Sequence, residues 1–346
     1  MKKSLVALAV LAASGAAMAQ SSVTLFGVVD AGYSVGNGSV SDSTAMRTDR
    51  IGSSRLGFRG VEDLGGGMRA EFWLEAGVAN DSGQGSATNS NNQAVTGLTS
   101  AGTQGLTFNR KSTVGLVGSM GEIRLGRDYS PQFYPDAQYD PFGTNGVASS
   151  LIAYGGGAAA VRASNMIAYH SPSLGGLTVM LGSYMGENNT GAAVGKTGDG
   201  SGIHVRYAQG PLALGIASST TKSGAATNVK TSTMGGSYNM GVATLMVNSN
   251  TVSNTGAVDI KGMLIGAHVP MAGGTFRFSS ASLKQAAAQT KRMSVGFVQP
   301  MSKRTDLYAT YARNSNSGGA NRALNGAVTA ANASSTGYDL GVKHSF

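Results

Sequence analysis

The groups in this chain able to do proton, metal or charge chemistry are 4 histidines, 17 carboxylates and 26 basic side chains. His170, His204, His268 and His344 fall on separate segments, with no HExxH spacing and no adjacent carboxylate to complete a zinc site. Cysteine is absent, which removes thiolate nucleophiles, thiolate metal sites and disulfides together. Gly65-Gly66-Gly67 and Gly155-Gly156-Gly157 lack the following Lys-Ser/Thr of a phosphate loop. Glu62-Asp63 sits in a turn-forming run rather than as an acid/base dyad, and no Ser/His or Asp/His cluster supports a hydrolase. What remains is charge spaced at every second residue, as in Arg69, Glu71 and Glu75, or Glu122 and Arg124. Such spacing puts ions on one face of an extended chain, where they act on passing solutes or on one another.

The elements that position them are strands. In Met68–Val78, Met68, Ala70, Phe72, Leu74, Ala76 and Val78 share one face, and Arg69, Glu71, Trp73, Glu75 and Gly77 the other. Ile203, Val205 and Tyr207 likewise oppose His204 and Arg206. The last nine residues set Tyr338, Leu340, Val342, His344 and Phe346 against Asp339, Gly341, Lys343 and Ser345. One face suits lipid and the other water, and exposed strands survive in hydrocarbon only if the sheet closes into a barrel. The alternative for such alternation is the edge of a soluble sandwich. The pattern predicts strands at Val23–Tyr33, Ser54–Val61, Met68–Val78, Lys111–Gly118, Glu122–Asp128, Asn165–His170, Leu177–Tyr184 and Ile203–Tyr207. It continues through Leu212–Ser218, Thr231–Tyr238, Val242–Asn248, Asp259–Val269, Thr275–Leu283, Lys291–Val298, Asp306–Arg313 and Thr336–Phe346. Short Gly-, Pro- and Asn-bearing links such as Gln209-Gly210-Pro211 are expected to alternate without a break with long ones such as Ala79–Asn109, Tyr129–Ser164 and Asn314–Ser335. All long loops then lie on one side.

The N-terminus carries Lys2 and Lys3, an apolar run from Leu5 to Ala13, and Ala17-Met18-Ala19 before Gln20. That order reads as a secretory signal peptide over Met1–Ala19, leaving Gln20–Phe346 as one barrel domain. The run is too short to anchor a helix in a bilayer, and none like it follows. With 52 glycines and 12% charged residues, the composition fits two-faced strands. The formal net charge of +9 falls by the two leader lysines and stays positive, so anions are the favoured partners. Export argues against nucleic acid as a partner, and nothing implies a cofactor.

Four motifs carry a resemblance. Gln20–Asp30 (QSSVTLFGVVD), Ser54–Gly67 (SRLGFRGVEDLGGG), Gly121–Asp128 (GEIRLGRD) and the terminal Gly341–Phe346 (GVKHSF) resemble the Gram-negative general porins of the β-proteobacterial branch. The likeness runs in the same order from Gln20 to Phe346. It implies a homotrimer of 16-stranded antiparallel barrels in outer-membrane lipid, each with a water-filled channel for passive diffusion of small hydrophilic solutes. It also implies that Phe346 is read by the outer-membrane assembly machinery. A barrel enzyme and a soluble periplasmic binding protein are the competing classes.

In that family the third external loop folds inward and narrows the pore, and the matching segment here is about Tyr129 to Ser164, with Asp136 and Asp140. By local motif, Arg55, Arg110 and Arg162 correspond to the constriction arginines. Lys111, Arg69, Arg124 and Glu71 are secondary lumen candidates. Lys111 adjoins Arg110, so strand parity lets one of the two face the lumen; Arg69 and Arg124 are expected to pair with Glu71 and Glu122. Three matched arginines against two acids predict mild anion selectivity.

Overall fold

The computed structural model describes residues 22–93, 105–150, 159–189, 191, 194–224 and 226–346. The signal-peptide reading and Gly155-Gly156-Gly157 lie outside these residues. In chain order the strands are β1 (Ser22–Asn37), β2 (Ser43–Thr48), β3 (Arg55–Gly65), β4 (Met68–Ala79), β5 (Gln84–Gly85), β6 (Lys111–Gly118) and β7 (Gly121–Tyr129). A short helix, α1 (Phe133–Gln138), follows β7. Then come β8 (Arg162–His170), β9 (Leu177–Tyr184), β10 (Gly200–Gln209), β11 (Leu212–Lys222), β12 (Asn228–Asn239) and β13 (Thr244–Asn254). The series ends with β14 (Ile260–Met271), β15 (Gly274–Gln285), β16 (Ala288–Pro300), β17 (Thr305–Ser317) and β18 (Ser335–Ser345).

Neighbouring strands pair antiparallel, and the ring closes where β1 meets β18 from Val28↔Ser345 to Asn37↔Thr336. One half of β1 pairs with β3, from Ser22↔Val61 to Val28↔Arg55, and the other with β2, from Ala31↔Thr48 to Gly36↔Ser43. The two are therefore pieces of one barrel strand, and β5 is a two-residue appendage of β4. The closed barrel has 16 strands. The carboxylate of Asp30 on β1 accepts from the backbone N–H of Ile51 at 2.6 Å and of Gly52 at 2.7 Å, satisfying donors that the break between β2 and β3 takes out of the ladder.

The apolar surface lies outside. Leu116, Ile167, Leu181, Ile216, Val247, Ile265, Leu307 and Leu340 are all exposed and form the lipid-facing belt, whereas Asp30, Thr233, Asn250, Asn314 and Asp339 are buried within the ring. This inverts a soluble fold, so hydrocarbon is the solvent that the belt requires.

All sixteen predicted strands are found, but most run further. Asp306–Arg313 becomes β17 through Ser317, and Leu212–Ser218 becomes β11 through Lys222. The added residues are Thr, Ser, Asn and Lys, which carry no apolar alternation yet keep the backbone ladder. Consequently the expected unbroken alternation of long and short links fails: only residues 286–287 join β15 to β16, with Ala286 at φ 51° closing the hairpin. β2 was missed because the break at residues 49–54 splits the strand's pattern in two.

Candidate functional site

The link after β7 turns into the barrel. Ser130 N–H bonds the Val161 carbonyl at 3.1 Å, pinching the loop's base, and α1 packs against β11 and β12 on the far side of the ring. Asn248 on β13 donates through Nδ2 to Asp136 at 2.8 Å, and His268 on β14 donates through Nε2 to the Pro141 carbonyl at 2.7 Å. Arg292 on β16 donates to the Ser149 carbonyl at 2.6 Å, and the Val147 N–H bonds Asp339 on β18 at 2.8 Å. The loop is thus fastened along the wall from β11 to β18.

Glycines in the middle of those strands make the contact possible. Tyr139 lies over Gly215 and Gly235, Pro141 over Gly266, and Phe142 over Gly296; a Cβ on Gly235 would stand 2.5 Å from Cδ2 of Tyr139. Tyr139 and Phe142 are each 2% exposed. Two aromatic side chains are in this way sunk into the wall rather than standing in the lumen.

Asp136 and Asp140 take part in this fastening. They are 3% and 4% exposed, so neither presents its carboxylate to open water, in contrast to the constriction role that the family resemblance implies for them. Asp140 accepts from the N–H groups of Phe142, Thr144 and Ser150 and from Ser150 Oγ at 2.6 Å, holding the loop's own turn. Burial pushes the Asp136 carboxyl up to about 8, opposed by its bond from Asn248 and reinforced by the charge of Asp140.

With the loop against the far wall, β3 to β8 face the remaining opening. Arg110 Nε donates to Glu75 Oε1 at 2.6 Å, and Arg55 Nε stands 3.8 Å from that same oxygen. Arg162 donates through Nε to the Arg110 carbonyl at 2.8 Å, and its guanidinium lies 4.8 Å from the centre of the Tyr129 ring. The structure therefore gathers Arg55 of β3, Arg110 just before β6 and Arg162 of β8 on one stretch of wall, the first two at the Glu75 carboxylate. Lys111 reaches Asp128 at 3.0 Å, so both Arg110 and Lys111 reach lumenal acids; Arg110 stands one residue before β6 begins, where strand parity does not bind it. Arg124 pairs with Glu122 at 2.7 Å and with Asp128 at 2.6 Å. Arg69 and Glu71 pair at 2.5 Å, with Glu71 four residues along β4 from Glu75.

Arg127 is the residue that sequence reasoning passed over. It donates to the Asn109 carbonyl at 2.5 Å, the Asn89 carbonyl at 3.0 Å and Ser164 Oγ at 2.7 Å, with no carboxylate partner among the described residues. Gly126 at φ 121° and the register shift between Gly126 and Asp128 set it off from the run of Glu122, Arg124 and Asp128. The glycine inside GEIRLGRD was the available signal.

On this wall Arg55, Arg110, Lys111, Arg124, Arg127 and Arg162 outnumber Glu75, Glu122 and Asp128, so fixed positive charge exceeds negative. Among the described residues no three His, Asp or Glu side chains converge as metal ligands. The arrangement holds charged side chains in place along the lumen.

Residues 4–319 match the family described as Gram-negative porin. The chain belongs to the Gram-negative porins. Outer membrane porin protein 32 of Delftia acidovorans is 38% identical over 373 residues covering 100% of both chains. An outer membrane porin protein of Bordetella pertussis is 28% identical, again with 100% of both chains covered. The solved structure of an anion-selective porin from Comamonas acidovorans superposes with a TM-score of 0.81 at 32% identity, covering 94% of this porin and 100% of that one. The porin is an outer-membrane barrel that forms a channel for passive diffusion.

Proposed function

We propose that the porin passes small hydrophilic solutes with a preference for anions, and that it does so as a homotrimer of separately conducting barrels. The observation that carries this reading is the division of the lumen: the inward loop is fastened on the β11–β18 side, and the opening it leaves faces an excess of arginine and lysine on β3 to β8. Arg stays ionised at any working pH, so the field on that side is permanent. The description of the Comamonas relative as anion-selective supports the same direction.

In this proposal Arg55, Arg110 and Arg162 line the narrowest passage, with Lys111 and Arg124 extending its field and Arg69 and Glu71 compensating each other. Asp136 and Asp140 act from behind, as the fastening of the loop. Met1–Ala19 is the cleaved signal peptide and Gln20–Phe346 the mature barrel. Phe346 is the residue read by the assembly machinery. No catalytic role is assigned to any residue.

The test is the zero-current potential of the purified porin in a planar bilayer under a potassium chloride gradient. Chloride preference that falls in Arg55→Ala and Arg110→Ala variants supports the reading; cation preference in the unaltered protein overturns the arginine-dominated passage.

A further inference from the structure

Below Arg55 and the cross-strand pair of Glu75 and Lys111, the lumen wall carries a second arrangement. Thr24, Arg59, Trp73 and Thr113 pair in one row across β1, β3, β4 and β6. Four residues separate Arg59 from Arg55 along β3, a descent of roughly 13 Å toward the Gly65-Gly66-Gly67 turn. The Arg59 guanidinium stands 5.3 Å from the Trp73 ring centre and 5.6 Å from that of Phe26. Lys111 Nζ stands 5.0 Å from the same indole, and Phe26 meets Trp73 edge to face at 5.1 Å. Trp73 is held in this pose by a bond from Nε1 to Glu75 Oε2 at 3.2 Å.

The row lines a cavity of about 410 Å³, together with Glu71, Glu122 and Arg124. The charges facing it are largely accounted for: Glu71 is paired with Arg69, Glu122 with Arg124, and Lys111 with Asp128. Arg59 is exposed, and among the described residues no carboxylate lies within ion-pair distance of it. An uncompensated guanidinium set on two aromatic rings offers a charged fork for an anion and an apolar surface for the body that carries it.

We propose that Arg59, Trp73 and Phe26 form a second anion station on the periplasmic side of the arginine row, selective for small carboxylates with a planar or apolar body. The inference rests on the channel reading above and extends it from charge preference to a class of solute. A carboxylate leaving the upper arginines is received by the free guanidinium while its hydrocarbon part lies on the indole.

Trp73 is the only tryptophan in the chain, so its fluorescence reports on this station alone. The experiment uses the folded porin in detergent micelles, excited at the red edge of indole absorption, with iodide as an anionic quencher and acrylamide as a neutral one. The expected result is iodide quenching at least threefold stronger than acrylamide quenching, reduced to the acrylamide level by Arg59→Gln and retained by Arg59→Lys. Benzoate is expected to relieve iodide quenching at a several-fold lower concentration than inorganic phosphate. Iodide quenching that is no stronger than acrylamide quenching, or that is indifferent to Arg59→Gln in a variant that keeps its heat-dependent mobility, overturns the station. Phosphate that competes as well as benzoate overturns the assignment to carboxylates. The readout needs no ion flow, so loss of conductance with intact quenching would strike the channel reading and leave the station standing.

Discussion

Arg110 donates through Nε to Oε1 of Glu75 at 2.6 Å, and their side chains are 11% and 12% exposed. The pair joins two neighbouring strands at the opening left by the inward loop, so each partner's charge is fixed at a known place in the field. Removing them one at a time should move selectivity in opposite directions. At about 4 Å in a water-like medium a unit charge is worth about 1 kcal/mol to a passing ion. Arg110→Ala is therefore expected to lower the chloride-to-potassium permeability ratio about fivefold, and Glu75→Gln to raise it by a similar factor. Zero-current potentials in one salt gradient check both, and a shift of the same sign in the two variants would remove Glu75 from the passage.

What the sequence made legible follows from where periodicity reaches. Residues 68–78 alternate because lipid and water demand it, and β4 spans Met68–Ala79. The pairs Arg69–Glu71 and Arg124–Glu122 were visible for the same reason, since residues two apart on a strand share a face. Asp136 and Asp140 sit in an aperiodic loop, where nothing in the letters says whether a carboxylate faces water or its own backbone. Arg127 was hidden by the register shift at Gly126, and the joint inward reach of Arg110 and Lys111 by the place of Arg110 just outside the strand. The glycines under Tyr139, Pro141 and Phe142 are visible as interruptions of otherwise ordinary strands. Their purpose appears only when the loop lies on them.

Gly235→Ala tests that fit. The new methyl would meet Tyr139 Cδ2 at 2.5 Å and the Val247 carbonyl at 3.0 Å, so the ring must leave the wall. Overpacking of this kind costs about 1–3 kcal/mol. Single-channel conductance is expected to fall, because the displaced loop moves toward the open side. Gly65→Ala is the comparison: with no atom near its Cβ, it should lower thermal stability through its φ of 79° while leaving conductance unchanged.

Asp136 makes the loop's docking sensitive to pH. Its carboxyl is raised to about 8 when buried against the wall, above the ordinary value of 3.8 that it regains when the loop lifts. The docked form therefore binds the proton more tightly, and docking is strongest below about pH 4 and weakens as pH rises to 8. Current fluctuations from loop motion should grow over that interval and level off above it. Asp136→Asn keeps an acceptor for Asn248 and has no proton to lose, so its fluctuations should be flat with pH. A variant as pH-dependent as the unaltered protein would locate the response elsewhere.

Phe346 separates recognition from structure. Its backbone exchanges two hydrogen bonds with Gly27, at 3.0 and 3.1 Å, across the seam where β18 returns to β1, and its ring lies over Gly27 where any side chain would collide. Phe346→Ala keeps both bonds and loses only the ring, whereas deletion of the residue loses the bonds as well. Refolded into detergent, Phe346→Ala should melt within a few degrees of the unaltered porin, and the deletion lower by about 1–2 kcal/mol for two ladder bonds. In cells, both should reach the outer membrane at a small fraction of the normal amount if the terminal aromatic is what the assembly machinery reads. Normal abundance of Phe346→Ala, measured in outer-membrane fractions, would reduce Phe346 to one more ring at the lipid interface.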